Sequence, residues 1–168
     1  MDDTLILVDE HDAPVGAAGK LDVHQRGLMH RAFSVFAFNR FGELLLQRRA
    51  DAKYHSPGLW SNTACGHPRP GEATEAAARR RLADELGVTC GELRSAGVLR
   101  YRTELGGLVE NEVDHLLVTR VEDPPSPNPA EVGAWRFVGP LELATWLEER
   151  PQDFTAWFEP AWRIVASA

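Results

Sequence analysis

The segment 61–88, SNTACGHPRPGEATEAAARRRLADELGV, constrains this chain more than any other stretch. From Glu72 to Leu86 the residues are strong helix formers, Leu82 and Leu86 repeat four apart on one face, and Gly87 stands where a helix C-cap belongs. A loop rich in Gly and Pro precedes that helix, and ahead of the loop lies the triplet Cys65-Gly66-His67. A thiol, an imidazole and an acid-ended helix thus share one short stretch. Arg81 and Glu85, four residues apart, lie on one helix face and can point at one site.

Around this helix the chain reads as strands first and helices last. Thr4 to Val8 and Ala32 to Asn39 are rich in β-branched or aromatic residues, with Phe33, Val35 and Ala37 alternating with Ser34, Phe36 and Phe38. Asn39-Arg40-Phe41-Gly42 predicts a turn into a strand from Glu43 to Arg48, and Pro57-Gly58 predicts loop from Tyr54 to Trp60. Leu93 to Arg102, Leu108 to Thr119 and Gly133 to Val138 read as further strands, Leu141 to Glu149 and Phe154 to Val165 as helices. Strands interrupted by one central helix and closed by C-terminal helices point to an α+β fold, or an α/β/α sandwich around a mixed sheet. With 168 residues, 43% of them apolar, no internal repeat and only the short DPPSPNP at 123–129 to suggest a linker, residues 1–168 are expected to form one domain.

Composition excludes several function classes. A formal charge of −7 argues against a general nucleic-acid binder. The apolar runs fall far short of the ~20 residues that a membrane-spanning helix needs. The acidic start MDDTLILVDE lacks the basic region of an export signal, and Cys65 and Cys90 suit a reducing cytosol better than a disulfide framework. The expectation is a cytoplasmic protein, a monomer or weak dimer, with neither membrane nor nucleic acid as partner. Against the acidic background, Arg48, Arg49 and Lys53, then Arg69 and Arg79 to Arg81, form basic clusters flanking the cysteine and the loop, a pattern suited to an anion.

In LVENEVDHLLV, Glu110 and Glu112 project to one strand face, and two neighbouring carboxylates repel unless a cation or protons lie between them. His24, His30 and His67 supply imidazoles. Three imidazoles and two carboxylates make the ligand set of a borderline divalent ion such as Mn²⁺, Zn²⁺ or Fe²⁺. His11, His55 and His115 lack such context and are expected at the surface or in packing, and Trp60 and Trp135 in the core. Cys65, with Arg49, Lys53 and the metal ligands nearby, has surroundings that tune a thiol for proton transfer.

The segment 61–88 resembles a Nudix box, G-x5-E-x7-R-E-U-x-E-E-x-G-U, reading Gly66, Glu72, Arg80, Arg81, Leu82, Asp84, Glu85, Gly87 and Val88, with Arg81 in place of a metal-binding Glu. That exchange removes an ion ligand and supplies a fork that binds phosphate oxygens directly. A Nudix hydrolase instead gathers ions on several carboxylates to activate water. With CGH, ENEV, HRAF, RYR and TAWFEPAW, the chain from about Leu5 to Ile164 is similar to the type 1 isopentenyl-diphosphate isomerases, the branch of the Nudix superfamily that isomerises a diphosphate ester without hydrolysing it.

The resemblance implies the Nudix fold, a mixed sheet flanked by helices, and interconversion of isopentenyl and dimethylallyl diphosphate with no flavin and no nucleotide cofactor. It implies a site for Mn²⁺ or Zn²⁺ made by His24, His30, His67, Glu110 and Glu112, and a Mg²⁺ that arrives with substrate on Glu85 and the main-chain carbonyl of Cys65. Lys20, Arg49, Lys53 and Arg81 are its implied diphosphate contacts. Proton transfer falls to Cys65 on one side of the alkene and to Glu112, assisted by Tyr101, on the other, with Trp162 against the resulting tertiary carbocation and Trp157 nearby. A pyrophosphohydrolase and a non-catalytic diphosphate- or metal-binding module are the rival readings. No role attaches to Asp114 or His115.

Overall fold

The structure, a computed structural model, describes residues 3–168, so Met1 and Asp2 of the acidic start lie outside the described residues. Its frame is a mixed sheet of β1 (Thr4–Val8), β2 (Pro14–Gly19), β3 (His30–Phe38), β4 (Leu44–Arg49), β5 (Trp60–Ser61), β6 (Ala64–Gly66), β7 (Arg94–Leu105), β8 (Leu108–Arg120) and β9 (Val132–Val138). Among the described residues four α-helices accompany it: α1 (Lys20–Arg26), α2 (Thr74–Leu86), α3 (Pro140–Glu149) and α4 (Phe158–Ala166). This is the expected α+β architecture.

The hub is β3. It runs parallel to β8 from His30 opposite Glu112 to Phe38 opposite Arg120, and antiparallel to β6 with Ser34 opposite Cys65. Covered on both faces, its residues from Ala32 to Ala37 are all buried, which is why this stretch is apolar almost without a break. Phe33, Val35 and Ala37 pack with Ala77, Ala78, Leu82 and Leu86 of α2, while Phe36 packs with Leu143 of α3 and Phe158 of α4. The alternation along β3 therefore divides two helical layers between the faces of the sheet.

Packing rather than capping holds α2. Its N-cap, Ala73, makes no side-chain hydrogen bond, whereas each fully buried leucine contributes about 1.5–3 kcal/mol. Glu72 orders the loop in front by accepting from the Arg69 backbone N–H at 2.8 Å and from Arg80 at 2.9 and 3.0 Å. A side chain on Gly66 would place Cβ 2.8 Å from Phe33 Cζ and 3.0 Å from Arg81 Cγ, so only glycine lets β6 pass this close to α2. The stretch 123–129 is no linker: the backbone N–H groups of Ser126 and Asn128 donate to the carbonyls of Leu86 and Glu85 and close the C-terminal end of α2.

Four elements went unread in the sequence, namely β2, α1, β5 and β6. The seven residues of α1 are too few for a helical period to show, and β5 and β6 are shorter still. The C-terminal helix begins at Phe158 rather than Phe154. Residues Pro151–Asp153 form a 3-10 turn, and Thr155 N–H donates to the Trp60 carbonyl at 2.9 Å, which pins this approach to β5 and delays the helix. Among the described residues, no helix is long and apolar enough to cross a membrane.

Candidate active site

A cavity of about 230 Å³ is walled by Lys20, Arg49, Lys53 and Arg81 and reaches Ser34, Cys65, His67 and Glu112. At one end, four elements bring a ligand set together: His24 from α1, His30 from the start of β3, His67 just after β6, and Glu112 from β8. One ligand atom of each lies within 4.8 Å of all the others. The Asn111 side chain donates to the Gly27 carbonyl at 3.1 Å and ties the end of α1 to β8, which sets His24 in this group.

The ring nitrogens are already assigned by their partners. Nδ1 of His24 lies 2.8 Å from the Lys20 carbonyl and Nδ1 of His30 lies 2.9 Å from the Leu28 carbonyl; a carbonyl only accepts, so each Nδ1 carries the proton and each Nε2 presents a lone pair. Glu112 Oε1 stands 3.4 Å from His30 Nε2 and 3.3 Å from His67 Nε2. His30 Nε2 is buried with no hydrogen-bond partner among the described residues, a deficit that a metal ion removes. The residues thus fit a divalent ion.

Burial pushes His24 down to about 4 and His55 down to about 3, and lowers His67, in each case because imidazolium is poorly solvated there. Burial acts the same way on His30, but the Glu112 carboxylate beside it outweighs burial and raises that ring. Glu112 is held below the usual carboxylate range: burial opposes ionisation, and the neighbouring His30 ring and a hydrogen bond from His67 overcome it.

The lowered rings of His24, His55 and His67 bind fewer protons in the metal-free fold than in the unfolded chain below the ordinary histidine value of 6.5. The stability they contribute is fully present above that pH and is lost as pH falls toward 4, while the raised carboxyls of Glu110 and Asp114 act in the opposite sense. Thermal unfolding of chelator-treated protein isolates one ring: the Tm of His55→Phe relative to wild type is expected to be higher at about pH 5 than at about pH 7, and an unchanged difference would contradict the lowering of His55.

Glu110, the fifth implied ligand, is placed differently. It shares the face of Glu112, but it stands outside the group and lies 3.6 Å from His55 Nε2. Burial, reinforced by the charge of Glu112, raises its carboxyl. His55, expected at the surface or in packing, lines the cavity, with its ring edge-on to Tyr54 at 4.6 Å and to Trp157 at 6.1 Å. No spacing or motif in the sequence marked it.

Lys20, Arg49, Lys53 and Arg81 do meet at the cavity. Arg81 pairs with Glu85 and approaches Glu131 at 3.7 Å, Lys53 donates to Glu131 at 2.6 Å, and Arg49 stands 5.6 Å over the Trp157 ring. Glu131, unmarked in the sequence, balances part of this positive charge. The other Glu85 oxygen accepts from Gln47 at 2.8 Å, so the carboxylate is held from two sides. Arg48 instead pairs with Asp51, and Arg79 with the carbonyls of Cys90 and Gly91, so neither belongs to the basic wall.

Cys65 is a half-buried thiol rather than an activated thiolate. Burial, then the neighbouring Asp114, pushes it up to about 12, and its sulfur lies 3.2 and 3.3 Å from the two amide atoms of Asn62 and 3.6 Å from Ser34 Oγ. The fully buried Asn62 also accepts from Trp157 Nε1 at 3.1 Å, joining the thiol to the indole. Tyr101 lies opposite Glu112 across β7 and β8 on the same face, its hydroxyl buried without a partner among the described residues. Burial pushes the phenol up to about 12.

Trp162 packs away from the cavity. It stacks on Phe158 at 6.5 Å and on Phe36 at 6.1 Å within the layer between the sheet and α4, and it does not line the cavity. Because α4 starts only at Phe158, the preceding Trp157 is the residue turned to the cavity wall. Trp60 and Trp135 pack against the core as expected.

This sheet, and a site built around the N-terminal loop and one face of its central helix, define a Nudix-domain protein, and the NUDIX domain family matches residues 28–158. The fold is similar to that of DR0079 from Deinococcus radiodurans, with a TM-score of 0.76 at 21% identity over 96% of this chain and 98% of that one. The chain is 53% identical to the isopentenyl-diphosphate Delta-isomerase of Streptomyces griseus, over 92% of this chain and 79% of that protein. It is 51% identical to isopentenyl-diphosphate Delta-isomerase 2 of Aromatoleum aromaticum, over 94% and 83%. The chain belongs to the isopentenyl-diphosphate Delta-isomerase family.

Proposed function

We propose that this protein interconverts isopentenyl and dimethylallyl diphosphate by moving a proton on and a proton off the carbon skeleton. The observation that carries the reading is one cavity whose wall joins four cationic side chains to a half-buried thiol and to a carboxylate held by histidines. Residues 1–168 act as a single Nudix-type isomerase domain, cytoplasmic, as a monomer or weak dimer.

Lys20, Arg49, Lys53 and Arg81 bind the diphosphate oxygens, the two arginines through planar forks that match them. His24, His30, His67 and Glu112, with Glu110 alongside, would hold a Mn²⁺ or Zn²⁺, and Glu85 with the Cys65 carbonyl a Mg²⁺ that enters with substrate. When bound, these ions neutralise diphosphate charge and fix the carboxylates in the site. Cys65, un-ionised, gives its S–H proton to the terminal carbon of the alkene, leaving a tertiary cation on the adjacent carbon. Glu112, held ionised, takes a proton from the next carbon, and that C–H electron pair becomes the new double bond. Tyr101 keeps Glu112 on this face. The thiolate and the protonated carboxyl left behind are the reverse reaction's base and acid, so a proton returning from Glu112 to Cys65 resets the site. The Trp157 ring faces the cation without a nucleophile that would trap it.

Incubation with isopentenyl diphosphate and Mg²⁺ tests the reading, following the allylic isomer by NMR and phosphate by colorimetry. Isomer without phosphate is expected; phosphate released in step with substrate loss would establish the hydrolase instead. Arg81→Ala is expected to raise KM by roughly 10-fold or more, the scale of a charge-assisted hydrogen bond, and Arg81→Glu to raise it further by repelling the diphosphate. Better binding in Arg81→Glu than in Arg81→Ala would mean that this position recruits metal.

A further inference from the structure

Two buried polar groups beside the cavity take no part in the steps above, the Asp114 carboxyl and the Ser34 hydroxyl, each 2% exposed. Ser34 sits on β3 opposite Cys65 and lines the cavity, and Asp114 lies two places beyond Glu112 on the same face of β8. Ser34 Oγ donates to Asp114 Oδ2 at 2.8 Å and meets Cys65 Sγ at 3.6 Å. Its single proton is thereby committed to the accepting carboxyl oxygen, and Ser34 Oγ offers the thiol only lone pairs. Asn62 Oδ1, on the other side of the sulfur, already accepts from Ser61 at 2.9 Å and from Trp157 at 3.1 Å. Cys65 Sγ also lies in donating geometry to that oxygen, at 3.3 Å, where the weak thiol donor competes with a hydroxyl and an indole, whereas Ser34 Oγ, its own proton given to Asp114, has a lone pair free for the thiol.

Asp114 is an expensive residue to keep in such a place. Its other oxygen, Oδ1, is buried with no hydrogen-bond partner among the described residues, and a position that needed only volume would be better filled by an apolar side chain. We propose that Asp114 is a positioning residue of the isomerase, acting through Ser34 to fix the direction in which Cys65 presents its proton to the alkene. The inference rests on the role given to Cys65 above.

The test uses the full-length protein. Ser34→Ala and Asp114→Leu are expected to lower kcat about 10-fold or more with KM within about twofold, and Asp114→Asn, which keeps an oxygen for Ser34, to recover most of the loss. The double variant Ser34→Ala/Asp114→Leu should be no slower than the worse single variant, because both cut one chain. A kcat within about twofold of wild type in Ser34→Ala, or losses that multiply in the double variant, would overturn the proposal. If Asp114→Leu does not fold, Ser34→Ala and Asp114→Asn decide by themselves.

A second readout needs no turnover: carboxamidomethylation of Cys65 by iodoacetamide, resolved by peptide mass with Cys90 as internal reference. The untethered thiol of Ser34→Ala is expected to react about threefold or more faster. Should wild type fail to isomerise, the reaction assignment falls while this rate still judges the chain, and an unchanged rate overturns it.

Discussion

Cys65→Ala is expected to leave the fold and the metal content intact while isomerase turnover falls by roughly 10²–10⁴-fold, the usual worth of a positioned acid or base. The sulfur is small, lies on a short strand held by backbone pairing to β3, and belongs to none of the apolar clusters that carry the core. Its removal therefore costs little packing. What disappears is the proton donor between Ser34 and Asn62, and water is a poor substitute where an alkene, a very weak base, must be protonated. Turnover within a few-fold of wild type, measured by NMR on protein of verified metal content, would remove Cys65 from the reaction. Cys90→Ala supplies the control, since that thiol is held by Arg79 away from the cavity.

The second large effect concerns the histidine cluster. Protein dialysed without chelator is expected to retain a transition ion and no Mg²⁺ by elemental analysis. His67→Ala is expected to lose that ion and nearly all activity, a larger effect than the 10–100-fold in affinity or activity that loss of an outer-shell partner typically costs. His67 is the informative position because it follows β6 directly, so its backbone place is fixed by the pairing of Gly66 with Phe33 whether or not the imidazole is present. Glu112 loses one of its two histidine neighbours in this variant and keeps His30. Fully active protein with no retained ion, or a His67→Ala variant that holds the ion as tightly as wild type, would contradict the assignment.

Much of this was legible in the sequence where chemistry and local geometry coincide. The helix from Glu72 to Leu86, the cysteine ahead of it, the paired glutamates and, within basic clusters, Arg49, Lys53 and Arg81 announced themselves by composition and spacing, Lys20 was implied by the family resemblance alone, and the cavity gathers them. What stayed hidden depends on distant pairing. His55 and Glu131 sit in loops without periodicity, and Ser34 read as one polar residue in an apolar strand until β6 brought Cys65 opposite it. Asp114 was visible only as a carboxylate without a task. The exchange of Trp162 for Trp157 had a still more local cause: a backbone hydrogen bond from Thr155 to Trp60 delays the last helix and turns the earlier indole inward.

The parallel pairing of β3 with β8 gives the molecule a built-in proofreading of its own assembly. His30 stands directly opposite Glu112, although the two are far apart in the chain, and side chains alternate along a strand. A slip of one residue would turn Asn111 or Val113 to the histidines and send Glu112 to the opposite face. A chain trapped in the wrong alignment therefore has the imidazoles but no carboxylate among them. The capacity to capture a metal ion thus arises together with correct strand alignment, and the ion, once bound, stabilises that alignment over its neighbours.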